Sequence, residues 1–391
     1  MHVLVSLFEA LVFFYVGTLI AKKIRIKFGK KNDGSHSLYI GNSDDNANNI
    51  RIRIASKRLY LITSIFPIII NLEKIIYVFF IGGYNSYYVS FHSVFPYVFN
   101  IIADVNDYLF YFFLATLPNP KENKNVFIIR LLIGLSGMLY GQRNQIVMAV
   151  ILVWLYIVLY ENLTQDAYGI IKKRIYLFSA LLVPFVLMFF EFFMAYRSSE
   201  AYTFINIWES IKHMLSSLGG SVNVIGYGFE LKDTFPVGKI YSFGGVIDFF
   251  TQNILVRPLL GTKVYQQNTL EMALYGNNYA QTITYLGWGS TVYLSGRGMG
   301  SSYIAEAFQD FGYWGIAFFS VVYGIILTKV NRLYRGRWIY NTIILISLYQ
   351  ILYSPRDSAG GFVSAFFSTT FIGTLLLVII SSKMIRTVSS N

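Results

Sequence analysis

A 391-residue chain with 55% hydrophobic and only 13% charged residues is not a soluble globular protein, in which about a quarter of residues carry charge; it reads as a polytopic membrane protein. Its net charge of +12 would point to nucleic acid in a soluble chain, but Lys and Arg gathered in cytoplasmic loops account for it here, and no nucleic-acid partner is expected. The absence of cysteine excludes disulfides and thiolate chemistry, and His2, His36, His92 and His213 follow no ligand spacing, so no transition-metal site is expected.

A spanning helix needs about 20 mostly apolar residues. In chain order such stretches lie near 2–21, 59–81, 96–117, 126–141, 143–160, 175–194, 311–328, 338–353 and 361–381. The basic flank of the first (Lys22, Lys23, Arg25, Lys27) follows it, which reads as an uncleaved segment with its N-terminus outside rather than a signal peptide. Segment 22–58 holds ten Lys or Arg. It falls on the same side as the basic loops 118–125, 168–174 and 329–338 and the tail with Lys383 and Arg386, which makes that side cytoplasmic. The opposite loops, 82–95 and 141–143, hold almost no basic residue apart from Arg143.

The predicted fold is therefore all-α, a polytopic transmembrane helical bundle of about nine or more spans. It divides into an N-terminal bundle (1–194), a large extracytoplasmic region of short helices (195–310) and a C-terminal bundle (311–391). Within the outer region, "NIWESIKHMLSSL" (206–218) has amphipathic helical spacing, and the region is expected to fold against the membrane or over the bundle. "GNSDDNANN" (41–49) reads as a flexible cytoplasmic loop, and "GMLYG" (137–141) as a helix-packing pattern of small residues.

Four arginines stand on the side that should avoid them: Arg143 in "YGQRNQ", Arg197 in "AYRSSE", Arg297 in "SGRGMGSS" and Arg356 in "YSPRDSAGG". A guanidinium stays charged and grips phosphate or carboxylate with two prongs. Four of them at one depth suit a diphosphate whose lipid tail remains in the bilayer; the alternative is that each pairs with a nearby acid or a phospholipid headgroup. Glu306 and Asp310 are four apart, so a helix over 302–310 aligns them, with Ser301 or Ser302 as cap and open amides favouring an anion. Either acid neutralises Arg297 or Arg356, or serves as the general base that takes a proton from an attacking sugar hydroxyl; Asp357 is a weaker candidate. Glu191 sits inside the sixth span, and adjacent Glu73 and Lys74 in the second should pair locally. "GRGMG" lacks the lysine and the strand context of a nucleotide loop. The outer aromatics Trp208, Tyr227, Tyr241, Tyr285, Trp288 and Tyr293 fit packing individually, with sugar stacking as the alternative.

Three stretches carry a family likeness. "GRGMGSSYIAEAFQDFGYWGIAFFSVVYG" (296–324), "GMLYGQRNQIVMAVIL" (137–152) and "YSPRDSAGGFVSAFF" (353–367) resemble, in the same order, segments of the bacterial oligosaccharide repeat-unit polymerases, the Wzy-type O-antigen and capsule polymerases. Family members commonly have more spans than the nine counted here. The resemblance implies a membrane-embedded, metal-independent glycosyltransferase without cofactor, in the cytoplasmic (inner) membrane of a bacterium with its site facing outward. It implies transfer of a growing glycan from undecaprenyl pyrophosphate to the non-reducing end of a lipid-linked repeat unit. Donor and acceptor lipid-linked oligosaccharides, membrane lipid and a chain-length regulator are the implied partners. Arg143, Arg297 and Arg356, with Arg197 beside them, are expected to hold the pyrophosphate, and Glu306 and then Asp310 to act as base. An O-antigen ligase would use similar outward arginines, but the GSS-x-I-A-E stretch favours a polymerase. A flippase would instead place charges through mid-membrane and keep loops short on both sides.

Overall fold

The computed structural model describes residues 1–29, 43–164, 208–209, 212, 222–252, 257–330 and 333–385. The described residues are helical, with no strand among them. Among the described residues six helices are long and apolar enough to cross a membrane: His2–Lys23, Ala47–Ile81, Tyr97–Ala115, Arg143–Glu161, Tyr303–Lys329 and Gly361–Met384. Two more of the expected nine spans coincide with helices that fall short of that standard. Pro120–Leu139 carries Lys121, Glu122, Lys124 and Arg130, and Trp338–Tyr353 has only 16 residues. The span expected at 175–194, with Glu191, and most of the amphipathic stretch 206–218 lie outside the described residues.

The first helix, α1 (His2–Gly29), runs in the same direction as the long helix that begins at Tyr303, with His2 Nδ1 2.9 Å from the Tyr313 hydroxyl at one end. Farther along, glycines set the separation. A Cβ on Gly17 would lie 2.2 Å from the Val321 carbonyl oxygen, and one on Gly324 2.2 Å from that of Phe14. Such backbone-to-backbone approach is how membrane helices gain packing where lipid competes for every apolar contact.

The sequence reading needs one correction at 41–49. Residues 43–49 are not a loop but the start of α2 (Ser43–Thr63), which continues after a break at Ser64 into α3 (Ile65–Ile76). Pro67 explains the break: it offers no N–H to the Thr63 carbonyl and its ring crowds that group. The polar start of α2 is helical because it has a task. Arg53 Nη2 donates to the Thr116 carbonyl at 2.8 Å, and Asn49 Nδ2 to the same oxygen at 3.1 Å. With Asn341 Nδ2 on the Ala115 carbonyl at 2.8 Å, they satisfy the carbonyls left open at the end of α4 (Tyr97–Ala115).

Glu73 and Lys74 also differ from expectation. Glu73 accepts from Ser93 Oγ (2.6 Å) and the Val94 amide (2.5 Å), while the Lys74 ammonium lies 5.0 Å from the centre of the Tyr140 ring. Mid-bundle, Arg130 of α5 (Pro120–Leu139) is buried, pairs with Asp107 of α4 and covers the Phe110 ring. The sequence reading had not singled out this pair.

Two cores result. One joins α2, α4, α5, α6 (Arg143–Thr164) and α7 (Trp338–Tyr353). The other joins α1 to α8 (Tyr303–Lys329) and to the segments Val224–Ile225, Phe235–Tyr241 and Tyr279–Ile283. The described part of the large loop thus packs on the bundle.

Candidate functional site

The long helix α8 is two pieces in practice. Gly312 has φ 61° and ψ −151°, a conformation open only to glycine without strain, so residues 303–311 form a short helix before the span proper. A Cβ on Gly315 would meet the Ala307 carbonyl at 2.1 Å, so the bend is packed tightly shut. The sequence reading of a separate helix ahead of this span agrees with that geometry.

The Arg297 loop enters the short helix through Gly296 (φ 81°) and Gly300 (φ 82°), and the Met299 amide donates to Thr284 Oγ1 at 3.0 Å. Ser302 occupies the cap position but makes no side-chain capping bond. Ser301 turns the other way, donating from Oγ to Glu306 Oε1 at 2.6 Å. Glu306 is only 3% exposed, and its second oxygen accepts the Ala359 amide at 2.8 Å. Ala359 stands three residues beyond Arg356. One carboxylate therefore ties the loop that carries Arg297 to the turn that carries Arg356.

Asp310, one helical turn later, repeats the arrangement toward the large loop. Its Oδ1 accepts the Tyr241 amide at 3.0 Å and its Oδ2 the Ser242 amide at 2.6 Å. The Ser242 carbonyl in turn would meet a Cβ on Gly360 at 2.2 Å, which closes the triangle between the loop, the short helix and the Arg356 turn. The Tyr323 hydroxyl donates to the Ala359 carbonyl at 2.7 Å and fixes the same turn from the span below.

Arg143 begins α6 just after Gly141 (φ 113°). Its neighbour Asn144 donates from Nδ2 to the Tyr353 hydroxyl at 2.7 Å, at the end of α7 and three residues before Arg356. In the "GMLYG" pattern, Gly137 is where α6 comes close: a Cβ there would collide with Gln145 Oε1 at 1.9 Å.

Three of the four expected arginines are thus carried by segments bound to one another at one end of the bundle. Arg197 lies outside the described residues. Arg297 and Arg356 are exposed, and among the described residues neither is in an ion pair. Glu306 and Asp310 spend their oxygens on amides and a hydroxyl, not on guanidinium. Asp357, beside Arg356, is half-buried, and loss of solvation raises its pKa above the usual carboxylate value. Tyr241 and Tyr293 are buried packing residues, while Tyr227 and Trp288 keep exposed faces.

Sequence reasoning missed the groups that assemble the site, namely the amides of Tyr241, Ser242 and Ala359, which have no residue-type signal. Tyr353 and Asn144 were legible only as neighbours of arginines. Among the described residues no cluster of three or more His, Cys, Asp or Glu is arranged to hold a metal ion.

Comparison with curated proteins and with solved structures gives no match. A family model, O-antigen polysaccharide polymerase Wzy, matches residues 1–387, nearly the whole chain, and the protein belongs to that family.

Proposed function

We propose that the protein, as an O-antigen repeat-unit polymerase, transfers the growing glycan from undecaprenyl pyrophosphate to the non-reducing end of a lipid-linked repeat unit, at the outer face of the cytoplasmic membrane and without a metal ion. The observation that carries this reading is the linkage of the Arg143, Arg297 and Arg356 segments at one end of the bundle, with the two helix carboxylates committed elsewhere. Arg297 and Arg356 grip the donor diphosphate, and Arg143 and Arg197 complete the cradle. The acceptor hydroxyl oxygen bonds to the anomeric carbon as the bond from that carbon to the diphosphate oxygen breaks. Fixed guanidinium charge stabilises the negative charge that develops on the leaving group.

The proton of the acceptor hydroxyl needs a base. Glu306 and Asp310 were the first expectations, but their burial and their amide partners support a positioning role. Asp357 follows Arg356 directly in the chain, and burial raises its proton affinity above that of an ordinary aspartate, which favours it as the proton acceptor.

The test is ladder formation by the purified protein on lipid-linked repeat units. Arg297→Ala and Arg297→Lys should both lose most activity, because an ammonium cannot reproduce the two-pronged grip. Full ladders from Arg297→Lys would overturn the bidentate role. Cytosolic accessibility of a tag placed near Gly238 would overturn the outward orientation.

A further inference from the structure

We propose that a cleft at the start of α7, at the end of the bundle opposite the arginine turns, holds the headgroup of an anionic phospholipid. The cleft has a volume of about 430 Å³ and is lined by Asn48, Arg337, Trp338, Ile339, Tyr340 and Ile343. Helix α7 rises about 24 Å over its 16 residues, so its first turn and the Tyr353 end that joins the arginine turns stand near opposite faces of a bilayer. A ligand here is in the other leaflet from the lipid-linked substrate.

The chemistry of the lining selects the occupant. Arg337 is exposed and, among the described residues, in no ion pair; Arg335, two residues earlier, is exposed as well. The Asn48 amide adds a neutral donor. Arg337 caps α7 without a side-chain bond of its own, so the positive end of the helix dipole adds to the guanidinium charge. These features call for phosphate.

Below them the lining becomes apolar and faces outward. Ile339 is 55% exposed and Ile343 45%, one helical turn apart, with Tyr340 beside them at 44%. In a bilayer that stripe meets acyl chains, and an exposed tyrosine such as Tyr340 at its edge is usual at the headgroup level, while Trp338 is buried against Phe112 and forms the floor of the cleft. Free phosphate would use the guanidinium but not the stripe; a lipid anion uses both. Basic pockets between helices on the Lys/Arg-rich side of membrane proteins take anionic headgroups for the same reason, and Arg53, Lys329 and Lys383 belong to this end of the bundle.

The experiment is native mass spectrometry of the detergent-purified full-length protein with phosphatidylglycerol, phosphatidylcholine or inorganic phosphate. Phosphatidylglycerol should be retained and phosphatidylcholine lost. Arg337→Gln should weaken phosphatidylglycerol retention about fivefold, the loss expected for one interfacial cation, and the uncharged Ile343→Asn should weaken it while leaving inorganic phosphate unaffected. Arg297→Ala/Arg356→Ala should retain it like the wild type, which separates this cleft from the proposed catalytic end. Equal retention by wild type and Arg337→Gln would overturn the proposal. Competition by inorganic phosphate at equal concentration would also overturn it, in favour of a simple anion site.

Discussion

Replacing Glu306 separates positioning from proton transfer, because glutamine and alanine do different things to its two hydrogen bonds. In Glu306→Gln the amide oxygen can still accept the Ala359 N–H. The amide nitrogen then faces Ser301 Oγ, which now accepts 2.6 Å away in place of donating, as a hydroxyl can do either. The tether survives, and the cost is about 1 kcal/mol or less. In Glu306→Ala both partners stay buried and unpaired, at about 1–3 kcal/mol each, with a small cavity besides. A loss of about 2–6 kcal/mol before the cavity is counted would free the Arg297 loop from the Arg356 turn. Ladder assays should therefore show substantial activity in Glu306→Gln and almost none in Glu306→Ala, with thermal unfolding lowered only in the alanine variant. A glutamine variant that is as inactive as alanine yet unfolds like the wild type would refute the reasoning and return Glu306 to the role of base.

The other expectations are simpler to state. Asp357→Asn should abolish ladders without lowering stability. In the wild type, activity should fall as pH drops through the raised Asp357 pKa, since burial makes the carboxylate hold its proton at a pH where ordinary aspartates are ionised; a rate flat across that range would remove Asp357 as base. Gly324→Ala should destabilise by about 1–3 kcal/mol, because its Cβ would press on the Phe14 backbone. Gly373→Ala is the matched control: nothing lies within 4 Å of its Cβ position, and alanine there should be neutral or mildly stabilising in thermal unfolding.

Much of this fold is written in residue types. The apolar runs, the basic flanks and the short helix ahead of the span near 311–328 are properties of a few consecutive residues, so they could be read directly; the break at Gly312 comes from the structure. The arginine turns were legible because guanidinium at an unfavoured location must be explained. What could not be read is which groups the acids hold. Glu306 and Asp310 are four apart and so share a helix face, but they reach segments 53 and 68 residues away along the chain, and their partners are amides that every residue owns. The same limit applies to 43–49. Its polarity spoke for a loop, and only the open carbonyls at the end of α4 make a helix bearing Asn49 and Arg53 favourable there.

The committed carboxylates also have a kinetic consequence. A guanidinium already paired with Glu306 would offer a ligand little, whereas Arg297 and Arg356, in no ion pair among the described residues, would keep their charge for the proposed diphosphate. In the proposed reaction that diphosphate would be a diester in the donor and a monoester once the glycan has left, so its negative charge would grow while the arginines stay fixed. One added charge about 5 Å from a guanidinium contributes about 1–3 kcal/mol between bulk-water and surface screening, or roughly five- to hundredfold in binding. The same term that lowers the barrier thus makes the leaving lipid the tighter ligand. Undecaprenyl pyrophosphate should inhibit ladder formation at concentrations below those at which the donor saturates, and rising salt should relieve that inhibition. Arg297→Ala should lower kcat more than it weakens donor binding, and should blunt the product inhibition in parallel. If the released lipid inhibits the alanine variant as strongly as the wild type, Arg297 does not hold the diphosphate.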